Sequence, residues 1–257
     1  MSSFEQQWKQ WHDEHEERRA APHGFLAITG LHWLDETPRR FPDAPGEWRT
    51  GPDGVVVVLA PGEELDGVAA GEHHFGPIEE RGDITVGYGD AKLEIARRGG
   101  YDVLRPRHPS HETRVRYPGT PTYSPDEKWV VTGRFVPFDE PRPVTVGSVA
   151  EGLEHVYESP GRIEFTVGGQ ELALTAFNGG TPGSLFVLFT DATSGVTTYP
   201  ANRSLTVAAP AGDGTVVLDF NRATNLPCAY TEFATCPLPP RENKLPIAVE
   251  AGEQLPR

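Results

Sequence analysis

The sequence predicts a mainly β protein, an antiparallel β-barrel or sandwich with an N-terminal α-helix, drawn either as one sheet system or as two tandem β modules. Three observations predict it. Short Val, Leu, Ile and Phe runs alternate with turn signals along most of the chain. Glycine and proline are abundant, at 28 and 25 residues; lying between apolar runs, they punctuate a chain with turns. After residue 20 no helical pattern of useful length recurs, so the crossover helices that a parallel sheet needs are missing.

Residues 2–19 read as one amphipathic helix. Ser2 can cap it, and Glu5 stands at the capping-box position. Phe4, Trp8, Trp11 and His15 recur at helical spacing, an aromatic face suited to docking on the body of the protein. Residues 24–34, GFLAITGLHWL, suggest a strand and a turn, or a short helix near 31–34.

From Gly54 onward the period shortens. Residues 55–59 form a buried strand candidate. Residues 84–88 and 92–96 flank Gly89-Asp90, and Gly99-Gly100 leads to 101–105. Residues 112–117, 129–135 and 144–149 follow as strands. Residues 162–167 and 171–177 flank Gly168-Gly169, a strong hairpin signal. Alternation in Arg162-Ile-Glu-Phe-Thr-Val buries one face and wets the other. Residues 185–190 and 196–199 flank Ser194-Gly195. Residues 205–208 and 215–220 flank Gly212-Asp213-Gly214, and 245–249 is a last strand. This is a meander of about a dozen strands. Pro-rich stretches at 118–126 and 137–143 are linker candidates. The division drawn is a helix at 1–23, a first β module at 24–136 and a second at 137–257, with one continuous domain as the alternative.

The 257-residue chain carries a net charge of −14. Such a charge repels phosphate backbones and anionic lipid heads, so neither nucleic acid nor membrane is expected as a partner. No apolar run approaches the roughly 20 residues of a membrane span. Residues 1–20 are polar and do not read as a secretory signal. The expected location is therefore the cytoplasm, with Cys228 and Cys236 as reduced thiols. A homodimer is the assembly left open, and no cofactor can be named.

The most information-dense stretch runs from Asp219 to Glu253. It reads DFNRATNLPCAY, then TCPLPPRENKL. A long proline-stiffened loop inside a compact body is usually functional or pinned by its own contacts. These motifs, with the following PIAVEAGE, resemble the bacterial family known as domain of unknown function 1684. GFLAITGLHWL, the region around 117–129, and FTDATSG followed by Tyr199 and Arg203 fit as well, so the resemblance runs from about residue 24 to 253. It implies the pattern positions Arg203, Asp219, Asn221, Arg222, Cys228, Cys236, Pro237, Pro239, Pro240, Glu242 and Asn243, and no activity. Pro200 stands where the family pattern has Gly, and Leu226 where it has Pro.

Read as chemistry, Asp219 at a strand end needs a donor, and Arg203 and Arg222 are the nearest candidates. Two readings compete. In one, Asp219 and Asn221 hold the loop on the barrel. In the other, Arg203, Asn221, Arg222, Tyr199 and Tyr230 bind an anionic or carbonyl-bearing metabolite, with Asp219 as an orienting group or base and Cys228 as a nucleophile. The two cysteines, with seven residues between them, fit packed thiols, a loop-closing disulfide, or a metal or nucleophile role. No metal site is assigned: His73-His74 or His108 and His111 would have to come from distant strands to complete one. Glu242-Asn243-Lys244 reads as exposed loop and cap residues. The phosphate-loop, GxSxG, HExxH and dinucleotide signatures are all missing, which argues against those enzyme classes.

Overall fold

The computed structural model describes residues 2–257. Strand accounts for 45% of the chain against 14% helix, the predicted balance, and every strand ladder is antiparallel. The chain forms two compact units. One comprises Glu17–Tyr117 with Thr231–Thr235; the other comprises the N-terminal segment up to Glu16, Pro118–Tyr230 and Cys236–Arg257.

The helix α1 (Ser3–Arg19) opens with the expected capping box. Ser2 Oγ accepts the Glu5 amide at 3.2 Å, and Glu5 Oε2 accepts the Ser2 amide at 2.7 Å.

The unit built on Glu17–Tyr117 holds β1 (His32–Trp33), β2 (Arg39–Phe41), β3 (Ala44–Gly51), β4 (Gly54–Leu59), β5 (Gly71–Gly76), β6 (Asp83–Tyr88), β7 (Ala91–Arg98) and β8 (Tyr101–Arg107). They form two four-stranded sheets, in the orders β1-β8-β7-β6 and β2-β3-β4-β5. Trp48, Val55, Val57, Leu93, Ile95 and Leu104, all 0% exposed, form the shared core. The strand expected at 112–117 is instead one helical turn, α2 (Glu112–Val115). His111 O accepts the amides of Arg114 and Val115, which closes the turn, and the Arg114 guanidinium fastens it by donating to the nearby Pro109 carbonyl and to the Ala20 and Ala21 carbonyls far upstream.

Glu94 lies almost fully buried on β7, ion-paired with Arg98, Arg105 and Arg107. Burial alone would raise its carboxyl, but Arg105 and Arg107 hold it below the ordinary 4.5. A carboxyl depressed in the folded state stabilises fully above its unfolded value and loses that contribution as pH falls through the folded value. Denaturant titrations between neutral pH and pH 3 are therefore expected to show stability falling on the acid side of about 4.5. Glu94→Gln should flatten that slope and lower stability at neutral pH.

The other unit contains β9 (Val130–Gly147), β10 (Glu154–Val167), β11 (Gln170–Asn178), β12 (Leu185–Phe189), β13 (Arg203–Val207) and β14 (Thr215–Asp219). They make one sheet in the order β13-β12-β11-β10-β9-β14. It curls into a half-barrel, bringing its terminal strands β13 and β14 near one another. Phe220 anchors the core, its ring centroid 5.7, 5.8 and 6.2 Å from those of Phe189, Phe165 and Trp129. The Gly168-Gly169 hairpin forms as expected, both residues at positive φ (58° and 79°), as a tight two-residue turn requires.

Several expected elements differ. The linker candidate at 137–143 lies inside β9. β14 covers β9 only at residues 130–134, so those prolines fall where β9 is an edge and no donor is missed. Residues 144–149 likewise mostly continue β9. Residues 205–208 and 215–220 are not hairpin partners: β13 pairs with β12, and β14 with β9. Residues 196–199 form a turn, because Thr193 O accepts the amides of Val196, Thr197 and Thr198. Residues 245–249 make no strand; one parallel bridge, Thr190 to Lys244, precedes Pro246.

Among the described residues, no helix is long and apolar enough to cross a membrane.

Candidate functional site

The candidate catalytic and ligand-binding residues Tyr199, Arg203, Asp219, Asn221, Arg222, Cys228 and Tyr230 all fall in the half-barrel unit, whereas His73, His74, His108 and His111 fall in the other. Arg203 begins β13 and is 1% exposed. Its Nη2 donates to Asp191 Oδ2 at 2.7 Å and to Val249 O at 3.0 Å, and its Nη1 donates to the Ala251 and Glu253 carbonyls. The guanidinium also lies 5.2 Å from the Phe189 ring centroid. Arg203 is thus the partner of Asp191, not of Asp219. Asp191 Oδ1 accepts from Thr193 N, Thr193 Oγ1 and Val249 N. One buried ion pair therefore fixes a turn, a strand start and the chain from Val249 to Glu253. Gly252 is needed there: at φ +74°, a Cβ would lie 2.5 Å from Ala223 O.

Asn243 forms a second internal lock. Expected at an exposed loop, it is 0% exposed. Its Oδ1 accepts the Thr175 amide at 2.7 Å, and its Nδ2 donates to the Thr175 and Leu188 carbonyls at 2.9 and 2.8 Å. β12 pairs with β11 only at Phe177 and Asn178. Where the two strands part, the Asn243 amide does what a neighbouring strand's peptide group would do. Glu242 Oε1 adds a bond from Thr175 Oγ1.

Asp219, at the end of β14, accepts the Asn221 amide and Nδ2, and stands 3.1 Å from Arg222 Nε. Asn221 exchanges two hydrogen bonds with the Asp126 backbone. The aromatic face of α1 docks here: Trp8 Nε1 donates to Asn221 O at 2.8 Å, and the Arg222 guanidinium lies 5.4 Å over the Trp11 ring. His15 approaches Glu253, a buried carboxylate that also accepts from Asn225 N and Tyr230 Oη. Tyr230 Oη is 2.7 Å from Thr120 Oγ1.

The cysteines meet nearby. Both are thiols. The Cys228 amide points at Cys236 Sγ, 3.4 Å away, and Cys228 Sγ lies 3.9 Å from Asn202 Oδ1. Tyr199 Oη donates to Cys228 O at 2.7 Å, and Asn202 Nδ2 to Pro237 O at 2.6 Å. The neighbouring Cys236 thiol holds the Cys228 thiol below its ordinary value. Burial, chiefly, pushes the Tyr199 phenol up. Among the described residues, no group of three or more His, Cys, Asp or Glu could hold a metal ion.

Two adjoining cavities, of 590 and 470 Å³, lie on the outer face of β9, β10 and β11 and share Arg162, Glu171, Leu172 and Ala173. Arg134 lines the first; Phe138, Arg142, Glu242 and Lys244 line the second. The Arg142 guanidinium sits 4.1 Å over the Phe138 ring. Sequence reasoning did not single these out as ligand groups: Arg134 and Arg162 look like solvated strand positions, Phe138 and Arg142 fell in a linker candidate, and Glu242 and Lys244 were read as exposed loop residues.

Fold and site together define an antiparallel half-barrel protein closed by buried polar locks. The chain belongs to the family described as Protein of unknown function (DUF1684), whose model matches residues 115–254. A solution NMR structure of an uncharacterized protein from Haloarcula marismortui is 29% identical, covering 55% of this chain and 78% of that one at a TM-score of 0.46. No curated protein matches the chain.

Proposed function

We propose that this chain is a cytoplasmic small-molecule-binding protein that takes an anionic ligand in the groove on the outer face of β9, β10 and β11. The reading moves the ligand away from the C-terminal motif, whose arginine is already committed to Asp191 and three carbonyls. The observation that carries it is the lining of the two adjoining cavities. Arg134, Arg142, Arg162 and Lys244 gather there against Glu164, Glu171 and Glu242. Glu164 is paired with Arg162, and Glu242 accepts from Thr175. A local excess of cations in a chain of net charge −14 favours an anion held by guanidinium groups, with Phe138 against its apolar part.

The alternative is an interaction module, favoured by the free edge of β11. The Thr175 amide and carbonyl face Asn243, away from β10. By the alternation of an antiparallel ladder, those of Ala173 and Glu171 face the same way, where β12 does not reach.

A thermal-shift screen with di- and tricarboxylates and phosphate esters separates the two. A ligand at 100 times its Kd is expected to stabilise the protein by about 2.7 kcal/mol. Arg142→Ala with Lys244→Ala should abolish the shift while leaving the unliganded protein's melting point in place. If no anion shifts the melting point, the ligand reading fails and the interaction reading stands.

A further inference from the structure

We propose that Cys228 and Cys236 form a dithiol–disulfide site that exchanges with low-molecular-weight disulfides. The proposal is independent of the anion groove. Its ground is the geometry that sets the two thiols against each other. Pro227–Ala229 is a turn of 3-10 helix with Pro at its start, which fixes the backbone that presents Cys228. The Cys228 amide lies 3.4 Å from Cys236 Sγ. A sulfur that close to a residue's own nitrogen is within a side-chain rotation of that residue's sulfur. Two further bonds hold the backbone beside each thiol: Tyr199 Oη grips the carbonyl of Cys228, and Asn202 Nδ2 that of Pro237, the residue after Cys236. Tyr199 and Asn202 come from the turn that ends at Arg203, so the same buried lock that closes the half-barrel also positions the cysteines.

The two thiols differ in access, as an attacking and a resolving cysteine must. Cys228 is half-buried, whereas Cys236 is 6% exposed. The neighbouring Cys236 thiol favours the Cys228 thiolate, the nucleophilic form.

The exchange proceeds in two displacements. The Cys228 thiolate attacks one sulfur of a disulfide R–S–S–R. That S–S bond breaks, a Cys228–S–S–R bond forms, and R–S⁻ leaves and takes up a proton. The Cys236 thiol then loses its proton and attacks Cys228 Sγ. The mixed disulfide breaks, the Cys228–Cys236 bond forms, and the second R–S⁻ leaves and is protonated. Two protein thiols are oxidised by two electrons, and one small disulfide is reduced to two thiols. Excess dithiol reverses both steps.

The test uses the full chain, glutathione disulfide as probe, and intact mass with peptide mapping as readout. Wild type is expected to lose two hydrogens, to yield a peptide linking residues 228 and 236, and to recover its starting mass with dithiothreitol. Cys236→Ser should stop at the mixed disulfide on Cys228. Cys228→Ser should react at least roughly ten-fold more slowly, because its remaining thiol is the buried one. Tyr199→Phe, which removes a positioning bond, should slow closure of the internal disulfide without blocking the first displacement. Wild type alone decides the matter if a variant fails to fold. Accumulation of a stable mixed disulfide with no internal link overturns the proposal. So does a folded wild type that stays unreacted while the urea-unfolded chain reacts.

Discussion

Replacing Arg203 with Ala is expected to lower the stability of the half-barrel by about 3–5 kcal/mol, the range for breaking one side of a buried ion pair. The size follows from what stays behind. Asp191 Oδ2 would keep its charge in a site 0% exposed, and the carbonyls of Val249, Ala251 and Glu253 would lose their shared donor. Arg203→Lys should rescue only part of the loss, because one ammonium cannot span a carboxylate and three carbonyls as a guanidinium fork does. Asp191→Asn keeps the oxygen that orders Thr193 and Val249 while removing the charge. A double-mutant cycle over the two positions should therefore show a large coupling. Urea unfolding followed by circular dichroism reads all three, with a shifted midpoint at an unchanged slope. Arg203→Ala within about 1 kcal/mol of wild type would remove the lock from its central place, since losses of that size are ordinary for single substitutions.

Asn243→Ala should cost at least about 3 kcal/mol, since each buried backbone group left unsatisfied costs about 1–3 kcal/mol. Three such groups are stranded: the Thr175 amide and carbonyl, and the Leu188 carbonyl. Asn243→Asp should be at least as harmful. It keeps an acceptor for Thr175 N but replaces both donated bonds with a carboxylate buried among carbonyls. Hydrogen exchange supplies the sharper reading: the Thr175 amide should lose protection in either variant, while amides on the β9–β10 ladder keep theirs. Unaltered protection at Thr175 would show that water or a neighbour replaces the side chain.

The sequence made legible whatever depends on neighbours along the chain. Ser2 and Glu5 announced their capping box, and Gly168-Gly169 announced its hairpin, because both motifs act within four residues. Alternation in β10 declared its buried face for the same reason. Pairing between distant segments was not legible. Arg203 has Asp219 and Asp191 at comparable sequence distances, and only the folded turn at Thr193 selects the second. A sign of that turn stood in Asp191-Ala192-Thr193, a carboxylate placed to bond an amide two residues on. Asn243 looked like a loop residue because its partners, Thr175 and Leu188, are contributed by two strands far upstream. Glu253 was likewise passed over, although its burial is almost complete. The prolines at 137–143 suggested a linker, whereas a strand edge without a partner on that side tolerates them equally well.

The fastening of Arg203 to the carbonyls of Val249, Ala251 and Glu253 bears on synthesis of the protein. A growing polypeptide on the ribosome can pair β9 with β10, and β10 with β11, early, since those contacts are close in sequence. Arg203 can reach the Val249 carbonyl only once residues 46 apart in sequence are both outside the exit tunnel, and Trp8 can reach Asn221 only once residues 213 apart are. Contacts of that sequence separation carry a loop-closure cost and form after the local hairpins.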